Sequence, residues 1–398
     1  MKVLQINTLY NRGSTGRIVK GIEERCDQHN IEHFAAFRYC EKDLHLDKKC
    51  IPVSSWLDCH IHNRLAKYTG LQGWFSIFHT LLFICKINRI CPDIIHLHNI
   101  HGSYINHFLL FSYIRRKKIE VVWTLHDCWA FTGGCPHFTY SGCNGWKNGC
   151  GDCKYRIEKK GLFDSSKSVL NSKKKLFSGL PAVTLVTPSK WMKNIVEQSF
   201  LKQYQITVVN NGINLSIFKP TESNFRSKYD LVHKFIVLGV SFEWNQKKGL
   251  DVFVKLSNIL DERFKIVLVG IDADVKLDIP ESIICISRTN NQNELAAIYS
   301  ASDLFFNPTR EDTYPTVNME ALACGTPVLT FDTGGSTEMI DEKCGYVVSD
   351  NIDAVVEAIE NISEHNLFTR DECIKKAKSF SQNDRFEDYI DIYTKMNR

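Results

Sequence analysis

Two lysines, Lys247 and Lys248, stand directly before Gly249 and the amphipathic run Leu250–Leu260. Fixed positive charge just ahead of a helix, added to the free N–H groups and dipole of its N-terminus, suits a diphosphate. Two lysines in a solvated loop would read the same way. The stretch Pro308-Thr-Arg-Glu311-Asp312-Thr-Tyr-Pro-Thr316-Val-Asn-Met-Glu320-Ala-Leu-Ala-Cys-Gly325-Thr-Pro327 is more informative. An apolar strand ends at Asn307, a loop carries Glu311 and Asp312, and a helix runs from near Thr316 to Gly325. Glycine with proline beyond it is a helix exit. Free N–H groups at Thr316 and Val317 can meet a phosphate. Carboxylates at a strand's carboxyl end accept hydrogen bonds from hydroxyl groups; ordinary helix capping by acids is the structural alternative. Asp332-Thr-Gly334-Gly335-Ser-Thr-Glu338 repeats the layout of strand, glycine turn and acid.

The first half offers three further candidates. Arg12-Gly-Ser-Thr-Gly16-Arg17 follows the first apolar strand and opens a helix, so its backbone can approach an anion. It is neither Gly-x-Gly-x-x-Gly nor a Walker loop, which counts against a dinucleotide enzyme or an NTPase. His126 ends the apolar run Val121–Leu125 and reads either as a core histidine or as a group aimed at reacting atoms. Cys135, Cys143, Cys150 and Cys153 lie in a glycine-rich insert, residues 133–156, and finish in Cys-x-x-Cys. Four thiols there fit a structural zinc knuckle, four reduced thiols, or two disulfides. Lys147, Lys154, Arg156, Lys159 and Lys160 make the insert a basic lid, able to contact anionic lipid or a lipid diphosphate.

The elements that must position these residues alternate regularly. Val3–Ile6, Ile94–Leu97, Val121–Leu125 and Leu185–Thr187 read as buried parallel strands in the first half. Phe235–Gly239, Lys265–Val269, Leu304–Asn307 and Pro327–Phe331 do so in the second. Amphipathic segments such as Gly16–Arg25, Asn293–Ser300 and Asn318–Ala323 lie between them. This pattern predicts α/β architecture, as two Rossmann-like doubly wound domains with ligands at the strands' carboxyl ends and a cleft between them. The boundary falls in the turn-rich Val209–Pro220, giving domains 1–209 and 210–378. Residues 379–398 read as a helix with Phe386, Tyr389 and Tyr393 on one face, able to pack back on the first domain.

The 398 residues suit two domains. Residues 1–200 hold 28 Lys and Arg against 15 Asp and Glu, and the rest hold 21 against 30. The basic half points to an anionic partner, such as a membrane surface or a phosphorylated acceptor, or else to a solvated face. Gly73–Ile90 is apolar but broken by His79, Lys86 and Arg89. It reads as a packed helix rather than a membrane span, with contact along a membrane surface as the alternative. The N-terminus lacks a signal-peptide pattern, so a reducing cytoplasm is expected, with a peripheral place at the inner face of the cytoplasmic membrane as the further reading. Isolated cysteines such as Cys26, Cys85, Cys91, Cys285 and Cys324 then read as small buried hydrophobes.

Taken together, these motifs resemble family 4 glycosyltransferases of the GT-B fold, in the branch found in bacterial capsule, exopolysaccharide and O-antigen gene clusters. The resemblance rests on His96-Leu-His98-Asn-Ile-His101-Gly, Thr124–Asp127, Thr187–Trp191, Asn210–Pro220 and Lys247–Glu338. It implies that Lys248 binds the donor diphosphate and that Glu320 holds the nucleotide's ribose. Asp312 takes the position of the acid that contacts the donor sugar. Thr316 and Val317 would offer backbone N–H groups, Arg288 would lie by the base, Gly16 near the phosphates and His126 near the reacting carbon. Two departures stand out. The family's first acid is usually Glu, whereas here the spacing gives Asp312 with Glu311 beside it, and either can serve. The family's phosphate-binding Arg is replaced by Glu243, so Lys247 has to supply the missing charge.

The resemblance further implies retention at the anomeric carbon without a catalytic metal. The donor would be a nucleotide sugar, by default UDP-hexose or UDP-N-acetylhexosamine, and the acceptor an oligosaccharide or a polyprenyl-diphosphate-linked glycan. Two alternatives are a nucleotide-sugar epimerase on the same fold and a zinc-containing nucleic-acid-binding protein. The second leaves the acidic C-terminal half and the Asp312/Glu320 layout unexplained, so no nucleic-acid partner is expected.

Overall fold

The computed structural model describes residues 1–40, 47–153, 163–276 and 279–396. It divides into two compact units, one of Met1–Asn210 with Arg385–Arg398 and the other of Asn211–Asp384.

The first unit holds seven strands: β1 (Lys2–Tyr10), β2 (Glu32–Cys40), β3 (Cys50–Pro52), β4 (Ile94–Leu97), β5 (Glu120–Thr124), β6 (Val183–Thr187) and β7 (Gln205–Val208). They pair in parallel in the order β3-β2-β1-β4-β5-β6-β7. Val3, Leu4 and Ile6 of β1 are fully buried because helices cover both faces of the sheet. One layer is the helix Gly13–Gln28 together with the last helix, Gln382–Met396. Ile18, Ile22, Phe386, Tyr389 and Tyr393 meet there over Val3 and Val122. Gly21 makes the close approach possible: a Cβ on it would lie 2.1 Å from the Phe386 ring. On the other layer, helices His107–Lys117 and Ser166–Phe177 pack over Leu4, Leu97 and Trp123.

The second unit repeats the plan with β8 (Phe235–Val240), β9 (Phe264–Val269), β10 (Ile284–Ile286), β11 (Leu304–Asn307), β12 (Val328–Phe331) and β13 (Gly345–Val348). The order is β10-β9-β8-β11-β12-β13, again parallel. Helices Leu250–Ile259 and Ile352–His365 cover one face, and Gln292–Ala301, Thr316–Ala323 and Arg370–Ala377 the other. In both sheets the winding direction reverses beside the first strand, between β1 and β4 and between β8 and β11. Such reversal points open a crevice at the strands' carboxyl ends, where open α/β sheets bind ligands.

Several expectations need correction. The first helix begins at Gly13, so Gly16 sits inside its first turn, buried against Leu9 and Asn11. Phe380 belongs to a short turn in the second unit, and the last helix starts at Gln382. Gly73–Ile90 is a helix only from Ile77, and it buries Thr80, Phe83 and Ile87, with Ile84 and Ile90 partly buried against the same core. Cys26 and Cys324 are buried, but Cys85 and Cys91 are exposed and Cys285 is half-buried. Cys85 lies on the outer face of that helix, and Cys91 closes it in the left-handed region at φ 49°. Among the described residues no helix is long and apolar enough to cross a membrane.

Candidate functional site

In the second unit the candidate residues gather at the reversal point. Gly249, at φ +75°, lets the loop after β8 press against the loop after β11; a Cβ there would lie 2.5 Å from Pro308. Arg310 N–H donates to the Lys247 carbonyl at 2.8 Å and ties the two loops together. The Arg310 guanidinium then grips both carboxylates that flank it, Asp251 at 2.7 Å and Asp350 at 2.6 Å. These bonds raise its already high pKa and make Arg310 a fixed strut between loops. Lys248 Nζ donates to Asp312 Oδ2 at 2.8 Å and approaches the Thr309 hydroxyl at 3.3 Å. Lys247 Nζ lies 3.2 Å from Glu311 Oε2, and Glu311 is buried. Two lysine–carboxylate pairs thus stand side by side at the sheet's carboxyl edge.

The helix Thr316–Ala323 begins beside them. Pro315 precedes it and no side chain caps its N-terminus. Asn307, at the end of β11, donates to Asn318 at 2.8 Å and fixes the helix against the strand. Glu320 is buried on this helix and accepts from Tyr299 Oη at 3.4 Å. Burial and the neighbouring Glu320 charge keep that phenol protonated by raising its pKa. Gly334, at φ +57°, packs on the Asp312 carbonyl, where a Cβ would intrude to 1.7 Å. Arg288, beyond β10, is about half exposed and lies over the Phe242 ring at 4.3 Å, with Asp272 4.0 Å away. Phe242 follows β8 and is 70% exposed, so an aromatic face stands ready beside a cation. No motif spacing points to Phe242; only the parallel strands bring it to Arg288.

In the first unit the carboxyl ends of β4 and β5 carry a layer of buried histidines. Gln5 Nε2 donates to the Val19 carbonyl, so its Oε1 faces His98 Nε2, 3.2 Å away. His98 Nε2 therefore carries the proton, and His98 Nδ1 accepts from His126 Nε2–H at 3.0 Å. His126 is left with Nδ1 as its basic nitrogen. Burial lowers its pKa to about 4 even though Asp127 favours the charged form. It is neutral at pH 7 and acts through hydrogen bonds rather than charge. Beneath it, Thr124 Oγ1 donates to Tyr389 Oη at 3.2 Å, so His96 Nε2 donates to Thr124 at 2.8 Å and His96 Nδ1 accepts from Tyr393 Oη at 2.6 Å. The last helix is thereby keyed into this layer. Asp127 bonds His101 at 2.8 Å and accepts from Trp129 N–H. Burial works to raise the Asp127 pKa, but the His101 interaction outweighs it and holds the group at about 2.

Cys135, Cys143, Cys150 and Cys153 are all free thiols, half-buried except for exposed Cys143. Gly145 N–H donates to Cys143 Sγ at 3.4 Å. Lys173, buried at the base of the insert, donates to the carbonyls of Trp129 and Thr132 at 2.6 and 3.1 Å. Among the described residues no three His, Cys, Asp or Glu side chains are already arranged to hold a metal ion. Of the basic lid only Lys147 is described, its Nζ 5.0 Å from the ring centroid of the adjacent Trp146; Lys154, Arg156, Lys159 and Lys160 lie outside the described residues.

The sequence profile of the family described as Glycosyl transferases group 1 matches residues 222–380, which contain every candidate of the second unit. The chain carries a group 1 glycosyl transferase domain. It is an enzyme of the glycosyltransferase class. Along most of its length it is similar to WcaC of Escherichia coli K12, named as a colanic acid biosynthesis glycosyl transferase. The two are 22% identical over 390 residues, covering 88% of each chain. Among solved structures it resembles sucrose-phosphate synthase from Thermosynechococcus elongatus, with TM-score 0.70, 14% identity and coverage of 99% and 98%. It also resembles Anabaena HepE, solved in complex with UDP-glucose, with TM-score 0.68, 14% identity and coverage of 98% and 99%. The fold is GT-B, with a Rossmann-like parallel sheet in each unit. Within the group 1 domain, the Lys248–Asp312 and Lys247–Glu311 pairs occupy the crevice at the β8/β11 reversal.

Proposed function

We propose that this glycosyltransferase moves a hexose or N-acetylhexosamine from a UDP-sugar to a lipid-linked unit of a surface polysaccharide, with retention and without a catalytic metal. The observation that carries the reading is the paired arrangement of Lys248 with Asp312 and Lys247 with Glu311 beside the uncapped N-terminus of Thr316–Ala323. The leaving diphosphate gains negative charge as the glycosidic bond breaks. Lys248, Lys247 and the N–H groups of Thr316 and Val317 stabilise that charge more in the transition state than before it. Asp312, or Glu311 beside it, accepts from the sugar's hydroxyls. Glu320 accepts from the ribose, and the Phe242–Arg288 pair gives the base a stacking face. Gly16, in the first turn of the helix after β1, is carried in the same proposal as a residue near the phosphates. The acceptor hydroxyl attacks from the side the diphosphate leaves, and a departing phosphate oxygen takes its proton. Neutral His126 positions the sugar or acceptor through a hydrogen bond.

Support for the donor comes from HepE, a structural neighbour whose complex holds UDP-glucose. Support for the acceptor comes from the colanic acid role in the name of WcaC. We carry the zinc knuckle as part of the same proposal: Cys135, Cys143, Cys150 and Cys153 would close around one ion as a structural site. The setting would be the reducing cytoplasm.

A thermal-shift screen against UDP, GDP, ADP and their sugars, with and without EDTA, tests the donor. A rise in Tm with UDP or a UDP-sugar that persists in EDTA is expected. No response to any nucleotide, or one abolished by EDTA, would overturn the donor or the metal independence respectively.

A further inference from the structure

Two neighbouring helices of the first unit turn an apolar face outward. The helix Trp56–Thr69 buries Cys59, His62 and Ala66. On the opposite side Leu57, Ile61, Leu65 and Tyr68 recur at helical spacing and are 40–60% exposed. Trp56, at the start of this helix, is 73% exposed. The helix Ile77–Ile90 repeats the pattern: Thr80, Phe83 and Ile87 face the core, while Ile77, Phe78, Leu81 and Leu82 face outward. A helix apolar on two faces needs something apolar on each.

The helices are held as one surface. Asp58, in the first turn of one, accepts from Ser76 at the start of the other and lies 3.2 Å from His79. His62 bonds Ser76 at 2.8 Å and accepts from the Gly73 N–H at 3.2 Å. Exposed Trp74 and Phe108 extend the surface, their rings 6.1 Å apart. Between Trp74, Ile77 and Phe108 opens a cavity of about 320 Å³ that runs in to Leu176 and Phe177. A contiguous apolar surface of this extent is uncommon on a freely soluble domain and marks an interaction site.

The charge around it narrows the partner. From residue 56 to residue 119 the chain has eight Lys and Arg against two acids, Asp58 and Asp93. Arg64, Lys67, Lys86 and Arg89 lie on the two helices and are exposed. Apolar and aromatic side chains ringed by cations fit the boundary between headgroups and acyl chains. A second copy of the same face would bring cations against cations.

We propose that this face docks on an anionic lipid bilayer, the two stripes seated at the headgroup–acyl boundary and the cations against the headgroups. The cavity behind Trp74 and Phe108 admits a hydrocarbon chain from the bilayer. This placement needs no assumption about the donor sugar or the reaction.

Flotation of the full-length protein with phosphatidylcholine vesicles, with and without 30 mol% phosphatidylglycerol, tests it. The protein is expected to float with the anionic vesicles at low salt and largely to stay behind with the neutral ones. The variant Ile61→Ser/Phe78→Ser/Leu82→Ser should bind at least tenfold more weakly. Because all three side chains are exposed, its Tm should be unchanged. Arg64→Glu/Lys67→Glu should also bind more weakly and lose its salt dependence. Quenching of tryptophan emission by bromine-labelled acyl chains should fall in Trp56→Phe/Trp74→Phe. Equal flotation of wild type and the triple-serine variant would overturn the proposal. So would a wild type that ignores vesicles, or one that forms a dimer in solution which the serine variant abolishes.

Discussion

His126 Nε2 donates to His98 Nδ1 at 3.0 Å, and the direction of that bond is set from Gln5, on a different strand. If His126 positions a reactant, then Gln5 tunes it without touching the reactant. Gln5→Leu leaves the His98 Nε2–H without its acceptor, a loss of about 1–3 kcal/mol for a buried group. His98 is then free to flip its tautomer. We expect kcat to fall roughly tenfold, KM for the donor to hold, and His126→Ala to fall further, roughly 100-fold. Gln5→Glu should restore an acceptor and part of the rate. If kcat of Gln5→Leu matches wild type in steady-state assays, the relay has no positioning role.

The same burial predicts how stability changes with acid. His126 and His62 are lowered to about 4 and His107 to about 3, burial being the largest cause in each. A histidine depressed in the folded state binds its proton first in the unfolded chain. Above pH 6.5 both states are neutral and there is no penalty. Below it the unfolded state gains protons, and stability falls until the folded pKa is reached. At pH 5 each of these histidines should cost roughly 1–2 kcal/mol. Urea midpoints should therefore drop steeply between pH 6.5 and 4. A flat profile in that window would contradict neutral burial of the histidines.

At the donor site the two lysine–acid pairs should separate by substitution. Lys248→Ala removes the cation paired with Asp312 and should lower kcat/KM by roughly 100- to 1,000-fold. Lys247→Ala should cost less, roughly tenfold, because Lys247 is spent on buried Glu311. Asp312→Asn keeps the shape and removes the charge. If Asp312 contacts the sugar, this change lowers kcat for transfer while leaving UDP affinity near wild type. If Glu311→Gln does so instead, the sugar contact belongs to Glu311. Calorimetric UDP affinity alongside transfer rates distinguishes the two.

The insert makes its own prediction. Elemental analysis of protein purified without chelators should find one zinc per chain, released when the four thiols are titrated with a mercurial. Cys150→Ser should abolish it and lower Tm by several degrees, as loss of a structural site does. Metal-free protein with the Tm of wild type would leave four reduced thiols as the account of the insert.

Much of the second-unit site was legible because its residues are close in sequence. Asp312, Thr316, Val317 and Glu320 span a single strand–loop–helix, and local turn and capping chemistry governs that stretch. Lys248 was legible for the same reason, as a charge placed before a helix. The pairing of His98 with His126 was not, because 28 residues and a parallel crossover separate them. Phe242 and Arg310 were hidden likewise: each acts on a partner from another strand's loop. Strands β3, β7, β10 and β13 are edge elements only partly buried along their length, so they lack the continuous apolar run that marks the equally short β4, β11 and β12. The outward apolar stripe of Ile77–Ile90 was masked by its own hydrophobicity. An apolar run shows that a helix is covered, but not what covers it.

Gly334 gives the sharpest link between fold and chemistry. It sits at φ +57° with its missing side chain filled by the Asp312 carbonyl, 1.7 Å from where a Cβ would be. Asp312 in turn holds Lys248 at 2.8 Å. Gly334→Ala must therefore push the loop after β11 away from the loop after β12, and Asp312 moves with it. Gly179→Ala is the matched control, with φ +66° but open space around its Cβ. Both substitutions carry the backbone strain of a left-handed alanine, roughly 1 kcal/mol, or about 2–4 °C in Tm for a domain of this size. Only Gly334→Ala should add a displacement of Asp312. It should lose more stability than the control and raise the donor KM at least tenfold, whereas Gly179→Ala keeps wild-type kinetics. If the two variants behave alike in both melting and kinetics, the Gly334–Asp312 contact does not set the donor site, and the other contacts of Asp312, with Lys248 and the Tyr314 N–H among them, suffice to hold it.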